Sequence, residues 1–124
     1  MAGQKLLVID DSAFARRILR RILEEGGFGV EEAAGGSEAL EKYKTIRPDA
    51  VMLDIVMPQT GGLEVLLSLK ALDPGAMVIM ATADIQEATR KEVLTAGAAD
   101  IVNKPFRAED VLAAVSRVLS KRRS

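Results

Sequence analysis

The chain has 124 residues, the length of one domain, and with no cysteine and no histidine it excludes disulfides, thiol catalysis, histidine general bases and histidine metal sites. A hydrophobic fraction of 48%, a charged fraction of 28% and a formal net charge of -1 fit a soluble globular protein. They provide no global field to draw nucleic acid or a membrane surface, so neither is expected as a partner. No apolar run approaches the roughly 18 residues of a membrane span. Met1 to Lys5 pass straight into a strand pattern without an apolar leader, so a cytoplasmic protein is expected.

Lys5-Leu6-Leu7-Val8-Ile9 is an unbroken apolar run that ends in Asp10 and Asp11. Such a run reads as a strand buried on both faces of a parallel sheet. Ser12 is placed to cap a helix from Ala13 to Leu23. Phe14, Ala15, Ile18, Leu19, Ile22 and Leu23 fall on its inward arc, and Arg16, Arg17, Arg20 and Arg21 on the other. Gly26-Gly27 ends it. Val30-Glu31-Glu32-Ala33 alternates and reads as an edge strand. A helix then runs from Ser37 through Tyr43, with Ala39, Leu40, Tyr43 and Ile46 inward. Arg47-Pro48-Asp49 stops it, because the residue before a proline is pushed out of the helical region.

Ala50-Val51-Met52-Leu53 is the next apolar run, and it delivers Asp54 at its carboxyl end. After the turn Gln59-Thr60-Gly61-Gly62, a Leu-rich helix spans Leu63 to Leu72 and stops at Asp73-Pro74-Gly75. Met77-Val78-Ile79-Met80-Ala81 is a third buried run and ends at Thr82. A polar, weakly amphipathic helix follows from Gln86 to Ala96, with Gly97 as its cap. Asp100-Ile101-Val102 is a short strand leading to Asn103-Lys104-Pro105-Phe106. The last helix, Glu109 to about Leu119, turns Val111, Leu112, Val115, Val118 and Leu119 inward, and Lys121-Arg122-Arg123-Ser124 forms a solubilising tail.

Strand and helix alternate five times, which predicts an α/β fold: a doubly wound, five-stranded parallel sheet of flavodoxin-like order 2-1-3-4-5. That order puts the three most apolar strands in the centre. It also brings Asp10, Asp11, Asp54, Thr82 and Lys104 to one carboxyl edge. Three carboxylates in one cleft repel unless a cation balances them. With oxygen ligands alone the expected cation is hard, Mg²⁺ or Mn²⁺. Mg²⁺ uses one or two carboxylates and keeps water or phosphate oxygens as its other ligands. A carboxylate is then left as a nucleophile able to form an aspartyl phosphate, with an ammonium and a hydroxyl to bind the phosphoryl oxygens.

At these residues the whole chain resembles the receiver domain of two-component response regulators. The marks are Ile9-Asp10-Asp11-Ser12, Asp54 with Met57-Pro58 and Gly62, Ala81-Thr82-Ala83, Gly97-Ala98 and Lys104-Pro105-Phe106. The resemblance implies one receiver domain over residues 1–124 that takes a phosphoryl group from a phosphohistidine onto Asp54 and switches protein–protein interactions. It is a signalling domain that catalyses only its own phosphorylation and dephosphorylation. Asp10 and Asp11 would hold the metal, with Asp54 and the backbone carbonyl of Val56 as further ligands. Thr82 would be the switch hydroxyl, and Lys104 would pair with the phosphoryl group. The Lys104-Pro105 bond would be cis. The partners implied are a histidine kinase or phosphotransfer protein and an output protein. A monomer is expected, with a weak dimer on phosphorylation as the further possibility. The stretch Thr82 to Gln86 is similar to chemotaxis-associated members.

Two positions depart from the family pattern. Gly61 stands where an acid is common, and Ile101 where Tyr or Phe is common, so the output mechanism is expected to differ. The four arginines of the first helix read as a solvated face or as the surface that meets the kinase. The expected protein is a stand-alone receiver. Three alternatives stand beside it: a receiver excised from a hybrid kinase or transcription regulator, a pseudo-receiver that binds partners without phosphorylation, and a flavodoxin-like cofactor binder. The last is disfavoured by two carboxylates where a phosphate cradle needs glycines.

Overall fold

A computed structural model describes residues 3–57, 61–83 and 86–123, the side chains of 122 and 123 excepted. Each apolar run forms a strand: β1 is Lys5–Ile9, β3 Ala50–Asp54 and β4 Val78–Thr82. The alternating segment forms β2, Gly29–Ala33, and the short one β5, Asp100–Asn103. The helices are α1 Ala13–Glu25, α2 Gly36–Ile46, α3 Gly62–Leu72, α4 Glu87–Thr95 and α5 Ala108–Arg123. All four strand pairs are parallel, and the order is β2-β1-β3-β4-β5, as the repeat predicts.

Alternate side chains of the central strands feed two cores, one on each face of the sheet. Leu6, Val8, Ala50, Met52 and Ile79 pack under α1 and α5 with Leu19, Leu23, Val111, Val115 and Val118. Leu7, Ile9, Val51, Leu53, Val78 and Met80 pack under α2 and α3 with Ala39, Tyr43, Val65, Leu66 and Leu69. All five residues of β3 and of β4 are buried. Each large aliphatic side chain there contributes about 1.5–3 kcal/mol on burial, and this two-sided packing fixes where the strand ends lie. No helix among the described residues is long and apolar enough to cross a membrane.

Several boundaries differ from expectation for local reasons. Ser12 caps α1 as expected, its hydroxyl accepting from the Ala15 N–H at 3.2 Å. Phe14, expected inward, is 69% exposed. The first turn of α1 lies beyond the end of β1, and the first fully buried residue of the helix is Leu19. α1 runs on to Glu25, and Gly27, with φ +96, supplies the left-handed step that releases the chain toward β2. α2 does end at Arg47, but through a left-handed residue (φ 51, ψ 64) rather than an extended one. α3 starts one residue earlier than expected, at Gly62. Ala96 caps α4, one position before the cap expected at Gly97, and Gly97 is the left-handed residue just beyond it. α5 continues through Arg123, so the basic tail is part of the helix. The Lys104-Pro105 bond is cis. The expectations for Pro58, Gln59, Thr60, Asp84, Ile85 and Ser124 lie outside the described residues.

Candidate functional site

The register of the sheet assembles the site. Ile9 pairs with Leu53, Asp54 with Ala81, and Thr82 with Asn103. The last residues of β1, β3, β4 and β5 therefore end within about one residue of one another. Three further backbone bonds extend the ladders past the strands: Asp10 N–H to the Ala33 carbonyl at 3.1 Å, Ile55 N–H to Ala81 at 3.0 Å and Lys104 N–H to Thr82 at 2.8 Å. Asp10, Asp54, Thr82 and Lys104 thus stand on backbone held by the sheet rather than on free loops.

Asp10, Asp54 and Thr82 are the buried polar residues among those described, at 1%, 5% and 1% exposure. Asp11 is exposed, at the rim. One carboxylate oxygen from each of Asp10, Asp11 and Asp54 lies within 4.8 Å of the others. Lys104 reaches in from β5. Its Nζ is 3.2 Å from Asp10 Oδ2 and 3.4 Å from Asp54 Oδ1, and it lies 5.7 Å from the centre of the Phe106 ring. The other Asp10 oxygen accepts the Ser12 N–H at 2.9 Å, and Asp54 Oδ1 accepts the Val56 N–H at 3.3 Å. The Val56 side chain is 67% exposed.

The electrostatics follow from this crowding. Burial first, and then the Asp10 carboxylate, raise the Asp54 carboxyl above its ordinary range, while Lys104 and the Val56 N–H pull it back. For Lys104, burial works downward, but Asp10 and Asp54 together outweigh it and hold the ammonium above its ordinary value. Three carboxylates against one ammonium leave two negative charges in the cleft. The donors are all oxygen, so the residues fit a hard divalent cation.

The side chains of Asp10, Asp11, Asp54 and Lys104 therefore meet at one edge, and Thr82 ends the neighbouring strand there. Sequence reasoning missed Arg16. Its Nη1 donates to the Asp10 backbone carbonyl at 2.6 Å and its Nε to Glu32 Oε1 at 2.9 Å. Arg20 also holds Glu32, at 2.7 Å, so two of the four arginines, both partly exposed, clamp β2 rather than standing free in solvent. Arg17 and Arg21 remain exposed. A glutamate between the buried positions Val30 and Ala33 is the only trace this clamp leaves in the sequence.

Comparison with known proteins bears on the family and the fold. Residues 6–116 match the response regulator receiver domain family. The chain is 44% identical over 118 residues to the chemotaxis protein CheY of Halobacterium salinarum, covering 95% of this chain and 98% of that protein. It is 39% identical over 117 residues to the CheY of Thermotoga maritima, covering 94% and 98%. The crystallised chemotaxis protein CheY4 of Vibrio cholerae superposes with a TM-score of 0.90 at 31% identity, covering 94% of this chain and 99% of that one.

The fold and the acid cluster define a receiver of two-component signalling, and the chain belongs to the response regulator receiver domain family. It is CheY-like, with a general phosphoacceptor signalling role. Receiver domains of this kind bind Mg²⁺ at an aspartate cluster and interact with histidine kinases and output proteins.

Proposed function

We propose that Asp54 is the phosphoacceptor, taking a phosphoryl group from the phosphohistidine of a histidine kinase or phosphotransfer protein. In this reading residues 1–124 form one cytoplasmic receiver domain that switches protein–protein interactions while phosphorylated. The observation that carries it is the buried Asp54 carboxylate with Lys104 Nζ at 3.4 Å and two further carboxylates beside it. Asp10, Asp11, Asp54 and the backbone carbonyl of Val56 would hold Mg²⁺, for which Mn²⁺ can substitute. Bound there, the ion supplies charge neutralisation for the phosphoryl oxygens.

An oxygen of ionised Asp54 attacks phosphorus, the P–N bond to imidazole breaks, and its electron pair stays on the imidazole nitrogen. Lys104 stays protonated because Asp10 and Asp54 hold its ammonium, so it meets the phosphoryl oxygens as a positive charge. The Thr82 hydroxyl, on the neighbouring strand, donates to another of them. Hydrolysis by the domain itself reverses the state: water attacks phosphorus, the P–O bond to Asp54 breaks, and the carboxylate leaves.

Intact-mass measurement with Mg²⁺ and acetyl phosphate tests this. One phosphoryl group is expected on the wild type, with none on Asp54→Asn. Phosphorylation of Asp54→Asn to the wild-type extent would overturn the assignment. Peptide mapping would then locate the acceptor.

A further inference from the structure

We propose that Arg16 is a positioning residue for the Asp10–Asp11 pair, an inference that rests on those two acids holding the metal. The Asp10 residue is gripped at four points. Its N–H bonds to Ala33, one carboxylate oxygen accepts the Ser12 N–H, the other meets Lys104, and its carbonyl accepts from Arg16. The carbonyl contact differs from the rest because that oxygen belongs to the peptide plane joining Asp10 to Asp11. Fixing it fixes the direction in which the chain leaves β1 and so where the exposed Asp11 carboxylate stands. Among the described residues no other hydrogen bond acts on that plane.

Arg16 suits this task. Its side chain is only 17% exposed, and its backbone N–H is bonded to the Ser12 carbonyl, so it is rooted in the first turn of α1. Its guanidinium then grips Glu32 through Nε and the Asp10 carbonyl through Nη1 at once. The planar fork reaches the two acceptors from two different nitrogens at a fixed angle, whereas a lysine would have to reach both from one. Glu32 is itself fixed by Arg20, and its backbone carbonyl accepts Lys42 Nζ, so the far end of the fork is anchored on β2. Partners of this outer kind, which orient ligands without touching the ion, typically contribute 10–100-fold in metal affinity.

The sign of the effect separates positioning from simple charge. A cation near three carboxylates competes with a bound metal, so removing Arg16 for its charge alone would tighten Mg²⁺ binding. Removing it as a positioning residue would weaken binding. Arg20 is the internal control. It shares Glu32, but its remaining bonds go to Glu24 and to the Val30 carbonyl, away from Asp10.

The experiment is calorimetric titration of the unphosphorylated protein with Mg²⁺, well below its melting temperature, with unfolding by urea measured alongside. Arg16→Met is expected to raise the Mg²⁺ Kd about tenfold, whereas Arg20→Met, though less stable, stays within about twofold of the wild type. Equal weakening in both variants would make the clamp merely structural and overturn the inference, as would wild-type or tighter binding by Arg16→Met. If Arg16→Met does not fold, Arg16→Lys keeps the charge without the fork and is judged the same way: weaker binding upholds positioning, and wild-type binding overturns it. A wild type that takes up no Mg²⁺ removes the metal reading itself, an outcome distinct from an Arg16 variant that binds normally.

Discussion

Gly62 shows how much of this site depends on single positions. Its N–H donates to the Ile55 carbonyl at 2.9 Å, tying the start of α3 to the chain just after β3. A Cβ there would lie 2.2 Å from the Asp54 carbonyl oxygen, 2.6 Å from Ile55 Cα and 2.7 Å from the Ile55 carbonyl oxygen. All three are backbone atoms, so no side chain can swing away to relieve the clash. Gly62→Ala must therefore move the strand end that carries Asp54. We expect a loss of about 1–3 kcal/mol, the usual cost of overpacking, read as a lowered urea midpoint, together with weaker Mg²⁺ binding. A midpoint equal to the wild type would show that the end of β3 yields freely. The glycine was visible in the sequence as part of a turn, but the reason for it was not. The reason is a close approach between segments that periodicity does not describe.

At the scale of elements, α1 and β2 are joined by the clamp of Arg16 and Arg20 on Glu32. The hydrogen bond from Arg20, then that from Arg16, hold the Glu32 carboxyl below its ordinary range against the opposing effect of burial. A carboxyl lowered in the folded state contributes stability that is fully present above its unfolded pKa. That contribution is lost as pH falls through the folded value. The wild type should therefore exceed Glu32→Gln in stability at neutral pH, by about 1 kcal/mol for a pair this open to solvent. The gap should close as pH falls from the ordinary glutamate range through the lowered one. Urea titrations of both proteins across that range check the sign, and a gap that widens toward acid would contradict it. An arc of apolar residues told where α1 was but not what its arginines did. Amphipathicity assigns every charge to solvent, while a half-buried glutamate on the neighbouring strand draws two of them inward. Phe14 failed in the opposite direction: it fits the apolar arc, yet no strand lies beneath the first helical turn.

Across the whole molecule, the legible part of the fold was the part fixed by burial on both sides. Continuous apolar runs gave β1, β3 and β4, their order followed from the alternation with helices, and the acids at their ends met because parallel strands end together. What stayed illegible is how tightly each helix is held, and the switch depends on that. α3 buries Gly62, Val65, Leu66 and Leu69, whereas α4 buries only Val93, and Leu94 is 48% exposed. An element with so few buried contacts opens or shifts at low cost. α4 follows β4, whose last residue is Thr82, and the Thr82 carbonyl is tied to the Lys104 N–H. Phosphorylation adds roughly -1.5 to -2 charge and three acceptor oxygens. A response by Thr82 to that group would pull directly on the segment leading into α4. Ile101 is half-buried against the core of that face but carries no polar atom to answer the charge. We therefore expect Thr82→Ala to accept a phosphoryl group yet lose the change in amide exchange over Glu87–Thr95 that beryllofluoride induces in the wild type. Ile101→Ala should keep most of that change. If Ile101→Ala abolishes it as completely as Thr82→Ala does, the signal passes through the packing of β5, and the loose hold on α4 is not what makes the switch.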